Sequence, residues 1–189
     1  MFAALLVAVE ADGLDPLPGD RRASHAIVRH WRDPLVEGAV RISHYAGGWK
    51  GVLLLSAAAA LSLLLVRAWK KALFVGLAVA ILLLVPLLKV LVRRPPPPGS
   101  ETRFSFPSGH AVGSLALAAA TVYVVRKTPL RWPAAALAAL YVVTVAVAVV
   151  AEQGHWPSDV LGGWLLAAAW IPLARAVAEL PGRRAPAKG

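Results

Sequence analysis

Cysteine is absent from the 189-residue chain, which excludes disulfides and thiolate-held metals. Charge is also scarce. Only 16% of residues are charged, against roughly 25% in an ordinary soluble domain. Acids are scarcer still, with 10 Asp and Glu facing 20 Lys and Arg. Hydrophobic types fill the gap at 58%, against roughly 45–50% in a soluble domain. The mean hydropathy is +0.64. This excludes a disordered chain and argues against a water-soluble globule. A spanning helix takes about 20 residues, so the length has room for five or six spans and little else. One membrane domain without a soluble appendage is expected. A net charge of +10 would suit nucleic acid in a polar chain. In an apolar one it marks cytoplasmic loops and anionic headgroups, so no nucleic-acid partner is expected.

Residues 1–9 are apolar but stop at Glu10. The stretch is too short to span, and no basic residue precedes it as in a signal peptide. It reads as the remnant of a first span, or as a start placed late. Residues 10–23 carry Gly13, Pro16, Pro18 and Gly19 among charges and read as loop. Ser24 can cap a helix over 25–46, where Ile27, Trp31, Leu35, Val36, Val40 and Ile42 recur near helical spacing. Arg29, Arg32, Glu37 and Arg41 fill the gaps, which predicts a helix lying at the interface or packed on the bundle.

Five apolar runs follow, at 51–66, 72–92, 111–125, 134–150 and 160–178. Trp49, Trp69, Trp132 and Trp156 flank them as interfacial anchors. Barrel strands would be near ten residues and alternating, and these runs are neither. The expected fold is therefore all-α, a polytopic membrane bundle of five transmembrane helices. A partial sixth span at the N-terminus remains open, beside the interfacial helix. No internal repeat is visible. The tail 181–189 is basic and expected to fray.

Loop charge sets the expected orientation. Arg67, Lys70, Lys71, Arg126, Lys127, Arg131, Arg175, Arg183, Arg184 and Lys188 share one face with a single acid, Glu179. The positive-inside rule puts that face, and the C-terminus, in the cytoplasm of an inner (plasma) membrane. Two polar segments then meet on the periplasmic or extracellular face. One runs from Lys89 through Arg93, Arg94 and Pro95–Pro98 to Ser105-Phe106-Pro107-Ser108-Gly109-His110. The other is Glu152-Gln153-Gly154-His155-Trp156-Pro157-Ser158-Asp159.

Lys89, Arg93, Arg94 and Arg103 are partners for an oxyanion. Ser108 and the Gly109 amide precede a helix starting near His110, and a helix N-terminus favours phosphate. His155 and Asp159 are spaced i, i+4, so a carboxylate can bind one ring nitrogen and aim the other at a substrate. That suits His155 as a nucleophile, with His110 protonating the departing oxygen. The set reads as phosphoryl transfer through a phosphohistidine. Each part has a plainer reading alone. Lys89 could snorkel, Pro95–Pro98 is a stiff spacer, and Asp159 could cap the helix at Val160. His25, His30 and His44 read as polar rim residues. Two histidines and a carboxylate fall short of a zinc site, so no metal is expected.

The residues resemble the phosphatidic acid phosphatase type 2 superfamily. Its blocks are Lys, six residues, Arg-Pro; then Pro-Ser-Gly-His; then Ser-Arg, five residues, His, three residues, Asp. The second stands intact as Pro107-Ser108-Gly109-His110, and the third keeps His155 and Asp159. The resemblance covers residues 51–178. Two arginines depart from it: Pro96 stands where the first block has Arg, and Ala148-Val149 where the third has Ser-Arg. Arg94, two residues early, or Arg93 or Arg103 would have to substitute. One lost oxyanion donor costs about 3–4 kcal/mol of transition-state stabilisation.

The resemblance implies a metal-independent, cofactor-free lipid phosphatase acting on a polyprenyl carrier or phospholipid phosphate or pyrophosphate. His155 would be the nucleophile, Asp159 its orienting partner and His110 the general acid. Lys89, Ser108, Gly109 and Arg94 would bind phosphate. The implied organisation is an N-terminal segment (1–50), a catalytic membrane domain (51–180) and a basic tail (181–189). Loss of the arginines leaves open a non-catalytic lipid-phosphate binder or transporter. A second hydroxyl in place of water would make it a lipid phosphotransferase.

Overall fold

The computed structural model describes residues 1–30 and 34–180, except the side chains of residues 30, 34–37, 39 and 40. All regular structure among them is helical: α1 (Phe2–Ala11), α2 (Asp20–His30), α3 (Pro34–Gly47), α4 (Trp49–Leu65), α5 (Trp69–Ala80), α6 (Leu84–Val92), α7 (Gly109–Val125), α8 (Arg131–Ala151) and α9 (Pro157–Glu179). A 3₁₀ turn, Ile81–Leu83, joins α5 to α6. Pro86 lies just beyond it, lacks an N–H and crowds the carbonyl four residues back, which favours the tighter turn. The basic tail falls outside the described residues.

Among the described residues three helices are long and apolar enough to cross a membrane: Trp69–Val92, Arg131–Ala151 and Pro157–Glu179. Arg41–Gly47 and Trp49–Leu65 meet the same length and hydropathy only as a pair bent by 63°, the geometry of a broken span or a re-entrant loop. α7 has 17 residues, or about 25 Å at 1.5 Å per residue, short of the ~30 Å hydrocarbon core. It holds the whole apolar run at 111–125 and adds only Gly109 and His110 ahead of it. Large apolar side chains point outward along the bundle, among them Leu54, Leu83, Leu91, Leu137 and Leu173. In a membrane this surface meets lipid chains, and the chain has the helices of a membrane protein.

α7 lies at the centre, against α4, α5, α8 and α9. Its Ala and Gly residues let the neighbours approach closely. Val52, Val79, Val85, Val112 and Ala167 form the core nearer the histidines. Phe74, Ala120, Tyr123 and Ala174 form the core at the other end. That far end closes on Glu179, whose carboxylate accepts from Tyr123 Oη (3.3 Å), Arg126 Nη2 (3.3 Å) and Arg175 Nε (3.2 Å).

The N-terminal segment departs from the sequence reading. The helix expected over 25–46 falls on α2, up to His30, and α3, from Pro34, with 31–33 outside the described residues. Ser24 caps neither: it is buried inside α2, which starts at Asp20 after Gly19 at φ +96°. α1 packs its Phe2 ring on Phe106 at 6.0 Å. Trp49, Trp69 and Trp132 are exposed at helix starts, as interfacial anchors require. Trp156 is not: it is buried, and its Nε1 donates to the Pro95 carbonyl at 3.2 Å.

Candidate functional site

The polar segments singled out in the sequence meet at one end of the bundle, joined by main-chain bonds. Ser105 N donates to the Arg94 carbonyl (2.9 Å), and Ser105 Oγ to that of Pro95 (3.1 Å). Ser108 N donates to the Asp159 carbonyl (3.0 Å). This contact needs a bare backbone on α9. A Cβ at Gly163 would stand 2.6 Å from the Ser108 carbonyl oxygen, and one at Gly162 would collide with the Phe106 ring.

His110 and His155 face each other with ring centroids 6.3 Å apart. His110 is the second residue of α7, whose N-cap is Ser108, and Ser108 Oγ accepts from Ala111 N at 3.4 Å. The opening amides of that helix, Gly109 and His110, have no partner within it. His155 precedes α9 and is buried, with Nδ1 3.8 Å from Asp159 Oδ2. That is an ion-pair distance, not yet a hydrogen bond. Burial pushes the His155 imidazole below its ordinary value of 6.5, and Lys89 pushes it the same way, while Asp159 and the Ser105 main chain oppose them. Lys89, in the last turn of α6, donates from Nζ to the Phe104 carbonyl at 2.9 Å.

Asp159 is held on both oxygens. Oδ1 accepts from Arg94 Nη1 (2.6 Å) and Oδ2 from Trp156 N (2.8 Å). The second bond starts α9, because Asp159 is its third residue and Trp156 its N-cap. The plain capping role and the histidine-facing role thus coexist in one carboxylate. Arg94 is fully buried and directed into protein. Arg93 caps α6 at φ +58° and turns outward, its Nε on the Val90 carbonyl at 3.0 Å. Arg103 is exposed over the Phe104 ring, 5.2 Å from its centroid.

Two side chains escaped the sequence reading. Asp20, at the start of α2, accepts from Ser158 N (2.9 Å), Ser158 Oγ and Arg94 Nη2 (3.1 Å). His44, on α3, stacks on His110 at 4.4 Å, and its Nδ1 is 2.6 Å from Glu152 Oε2. The sequence alone gives His44 no more than a rim position, like that of His25. His25 is indeed exposed, and the side chain of His30 lies outside the described residues. Asp20 lies in a stretch whose composition reads as loop and His44 near the end of an amphipathic one, and no local spacing ties either to the site.

The absent arginines have structural counterparts. Val149 sits at the C-terminal end of α8, where its carbonyl accepts from Gly154 N (3.1 Å) while Gln153 turns left-handed at φ +56°. This is a Schellman-type helix stop, and it keeps the Val149 side chain in the core with Ala111 and Val160. Pro96 lines a cavity of about 330 Å³ with Arg21, His25, Asp15 and Trp156. A larger apolar groove of about 760 Å³ lies at the far end, between Leu73 and Val177. Among the described residues no three His, Asp or Glu side chains gather as a metal site would require.

An all-helical membrane bundle with two facing histidines and a clamped carboxylate at one end is the class that these features define. Residues 69–180 match the PAP2 superfamily, and the chain belongs to that family. The fold is similar to the crystal structure of the first transmembrane PAP2 type phosphatidylglycerolphosphate phosphatase from Bacillus subtilis. The TM-score is 0.78 and the identity 22%, over 97% of this chain and 95% of that one. No curated protein matches the chain.

Proposed function

We propose that the chain is an integral-membrane phosphatase that hydrolyses a lipid phosphate or pyrophosphate through a phosphohistidine at His155. The observation that carries this reading is the pairing of His155 and His110 across 6.3 Å, with Asp159 on one side of His155. Asp159 faces Nδ1, which leaves Nε2 for phosphorus. Nε2 attacks, the bond to the lipid oxygen breaks, and His110 gives that oxygen a proton. Asp159 stabilises the imidazolium charge that develops. Water then attacks phosphorus, His110 takes its proton, the P–N bond breaks and inorganic phosphate leaves. Lys89, the Ser108 hydroxyl and the Gly109 amide hold the non-bridging oxygens. No metal or cofactor takes part in this scheme.

Five crossings, by α4, α5–α6, α7, α8 and α9, would place the site on the periplasmic or extracellular face, with the C-terminus cytoplasmic. The cytoplasmic end is then the one with Arg67, Lys70, Arg126 and Arg131. Lipid tails would reach the site between the outward apolar faces while the headgroup meets the histidines. Substrates to try first are phosphatidylglycerophosphate, phosphatidic acid and polyprenyl phosphates and pyrophosphates. The name of the similar solved structure supports the first of these.

The test is phosphate release by detergent-purified protein on that panel with chelator present, beside His155→Ala. Chelator-resistant release that the variant loses supports the scheme. Release that persists in His155→Ala sinks it. The loss of cationic side chains at positions 96 and 149 favours one other reading, a binder that keeps the pocket without turnover. Lipid-phosphate binding without release by the unmodified protein would establish it.

A further inference from the structure

Arg94 directs four of its five N–H donors into the protein. Nη1 donates to Ser158 Oγ (2.7 Å) and Asp159 Oδ1 (2.6 Å), and Nη2 to the Asp15 carbonyl (2.9 Å) and Asp20 Oδ2 (3.1 Å). Nε is buried and unpartnered. No amino group is left to meet a phosphate. Asp20 lies outside the 69–180 stretch that matches the family. Its Oδ1 accepts from Ser158 N at 2.9 Å, and Oδ2 from Leu17 N at 2.9 Å and from Ser158 Oγ. The N-cap of α9 is Trp156, whose side chain has no acceptor. Asp20 therefore satisfies an opening amide of α9 from another segment, as a capping carboxylate does.

We propose that Asp20 and Arg94 are positioning residues for the phosphoryl-transfer site. Asp20 holds the Arg94 guanidinium and the first turn of α9, and Arg94 fixes the Asp159 carboxylate toward His155. The proposal rests on the histidine mechanism above. It assigns Arg94 to the carboxylate instead of the substrate, and makes the segment around α2 part of the working site.

The chemistry follows from three buried charges, two negative and one positive. Losing the Asp20 charge leaves Arg94 to pair with Asp159 alone, which weakens the negative potential at His155. Losing Arg94 does the reverse. The other groups facing His155 are Lys89 from α6 and His110 from α7, with His44 and Glu152 behind His110. The variants leave all of them in place.

The experiment compares Asp20→Asn, Arg94→Gln and the double variant in full-length protein. It reads kcat, KM, inhibition by inorganic phosphate, and the titration of the His155 imidazole by NMR in micelles. Asp20→Asn is expected to lower kcat about tenfold with KM unchanged, the signature of an interaction realised in the transition state. Its His155 titration should move to lower pH. Arg94→Gln should lower kcat further and move the titration to higher pH, and the double variant should move it back. A phosphate-binding Arg94 would give another pattern. Arg94→Gln would raise KM and weaken phosphate inhibition together, while Asp20→Asn would leave kcat and titration alone. That result overturns the proposal. Should Arg94→Gln not fold, Asp20→Asn and Ser158→Ala decide by the same kcat and titration readouts. If the unmodified protein releases no phosphate, the phosphatase reading fails, while the opposite titration shifts still decide the positioning claim.

Discussion

His44 and His110 stack with ring centroids 4.4 Å apart and planes tilted by 45°, although they are 66 positions apart on α3 and α7. Glu152 Oε2 stands 2.6 Å from His44 Nδ1. A ring fixed in this way limits the rotamers open to His110. The proposed acid thus receives its orientation from a helix that precedes the family stretch.

His44→Ala is therefore expected to lower kcat about tenfold, some 1.4 kcal/mol of barrier, with KM nearly unchanged. His44→Phe, which keeps the stack, should recover part of the loss. Steady-state kinetics on the best lipid substrate provides the check. Unchanged kcat in His44→Ala would reduce the contact to packing.

Gly163 is the point where α9 passes the second motif. A Cβ there would lie 2.6 Å from the Ser108 carbonyl oxygen and 2.8 Å from Ala111 Cβ. Neither neighbour can swing away, since one is backbone and the other the stub of a buried alanine. Gly163→Ala should cost about 1–3 kcal/mol of stability by overpacking and reduce turnover by shifting Ser108. Thermal unfolding in detergent and phosphate release measure both effects. An unaffected Gly163→Ala would mean that the helices separate freely.

Local spacing explains what the sequence made legible. Ser108, Gly109 and His110 sit on consecutive positions, and His155 and Asp159 on one helical turn, so their grouping needs no knowledge of distant chain. The apolar runs marked α5–α6, α8 and α9 for the same reason. Asp20 and His44 reach the site only through tertiary packing of α2 and α3, which no local period encodes. Arg94 was legible as a cation but not as the partner of two carboxylates, because Asp20 lies 74 positions away. Trp156 looked like the other flanking tryptophans, yet the Pro95 carbonyl draws its indole inward.

Arg21 lines the cavity at Pro96, where the family pattern places an arginine. It is exposed, on the first turn of α2, one residue beyond the clamped Asp20. A long cationic side chain there can reach a headgroup oxygen without altering the histidines. Arg21→Ala is expected to raise KM several-fold with kcat unchanged, the pattern of a lost contact made equally in ground and transition states. The effect should shrink as salt rises, because the charge is exposed to screening. Equal loss of kcat in Arg21→Ala would place it in the chemistry instead.

The pH dependence has a definite sign. In the proposed scheme His155 must be neutral to attack, and burial pushes its pKa below 6.5. As pH falls, the nucleophile is lost only on passing through that lowered value, so the acid limb of kcat/KM should lie below the ordinary imidazole range. The same shift bears on stability. The unfolded chain takes up its His155 proton near 6.5, before the folded one does, so stability falls as pH drops from 6.5 through the folded value. Asp159→Asn removes the charge that opposes burial and should move the acid limb lower still while cutting kcat. It also leaves Arg94 buried without its Asp159 partner, at a cost of about 3–5 kcal/mol. A pH–rate series with parallel thermal unfolding separates the two effects. An acid limb above 6.5 would assign the titrating group elsewhere.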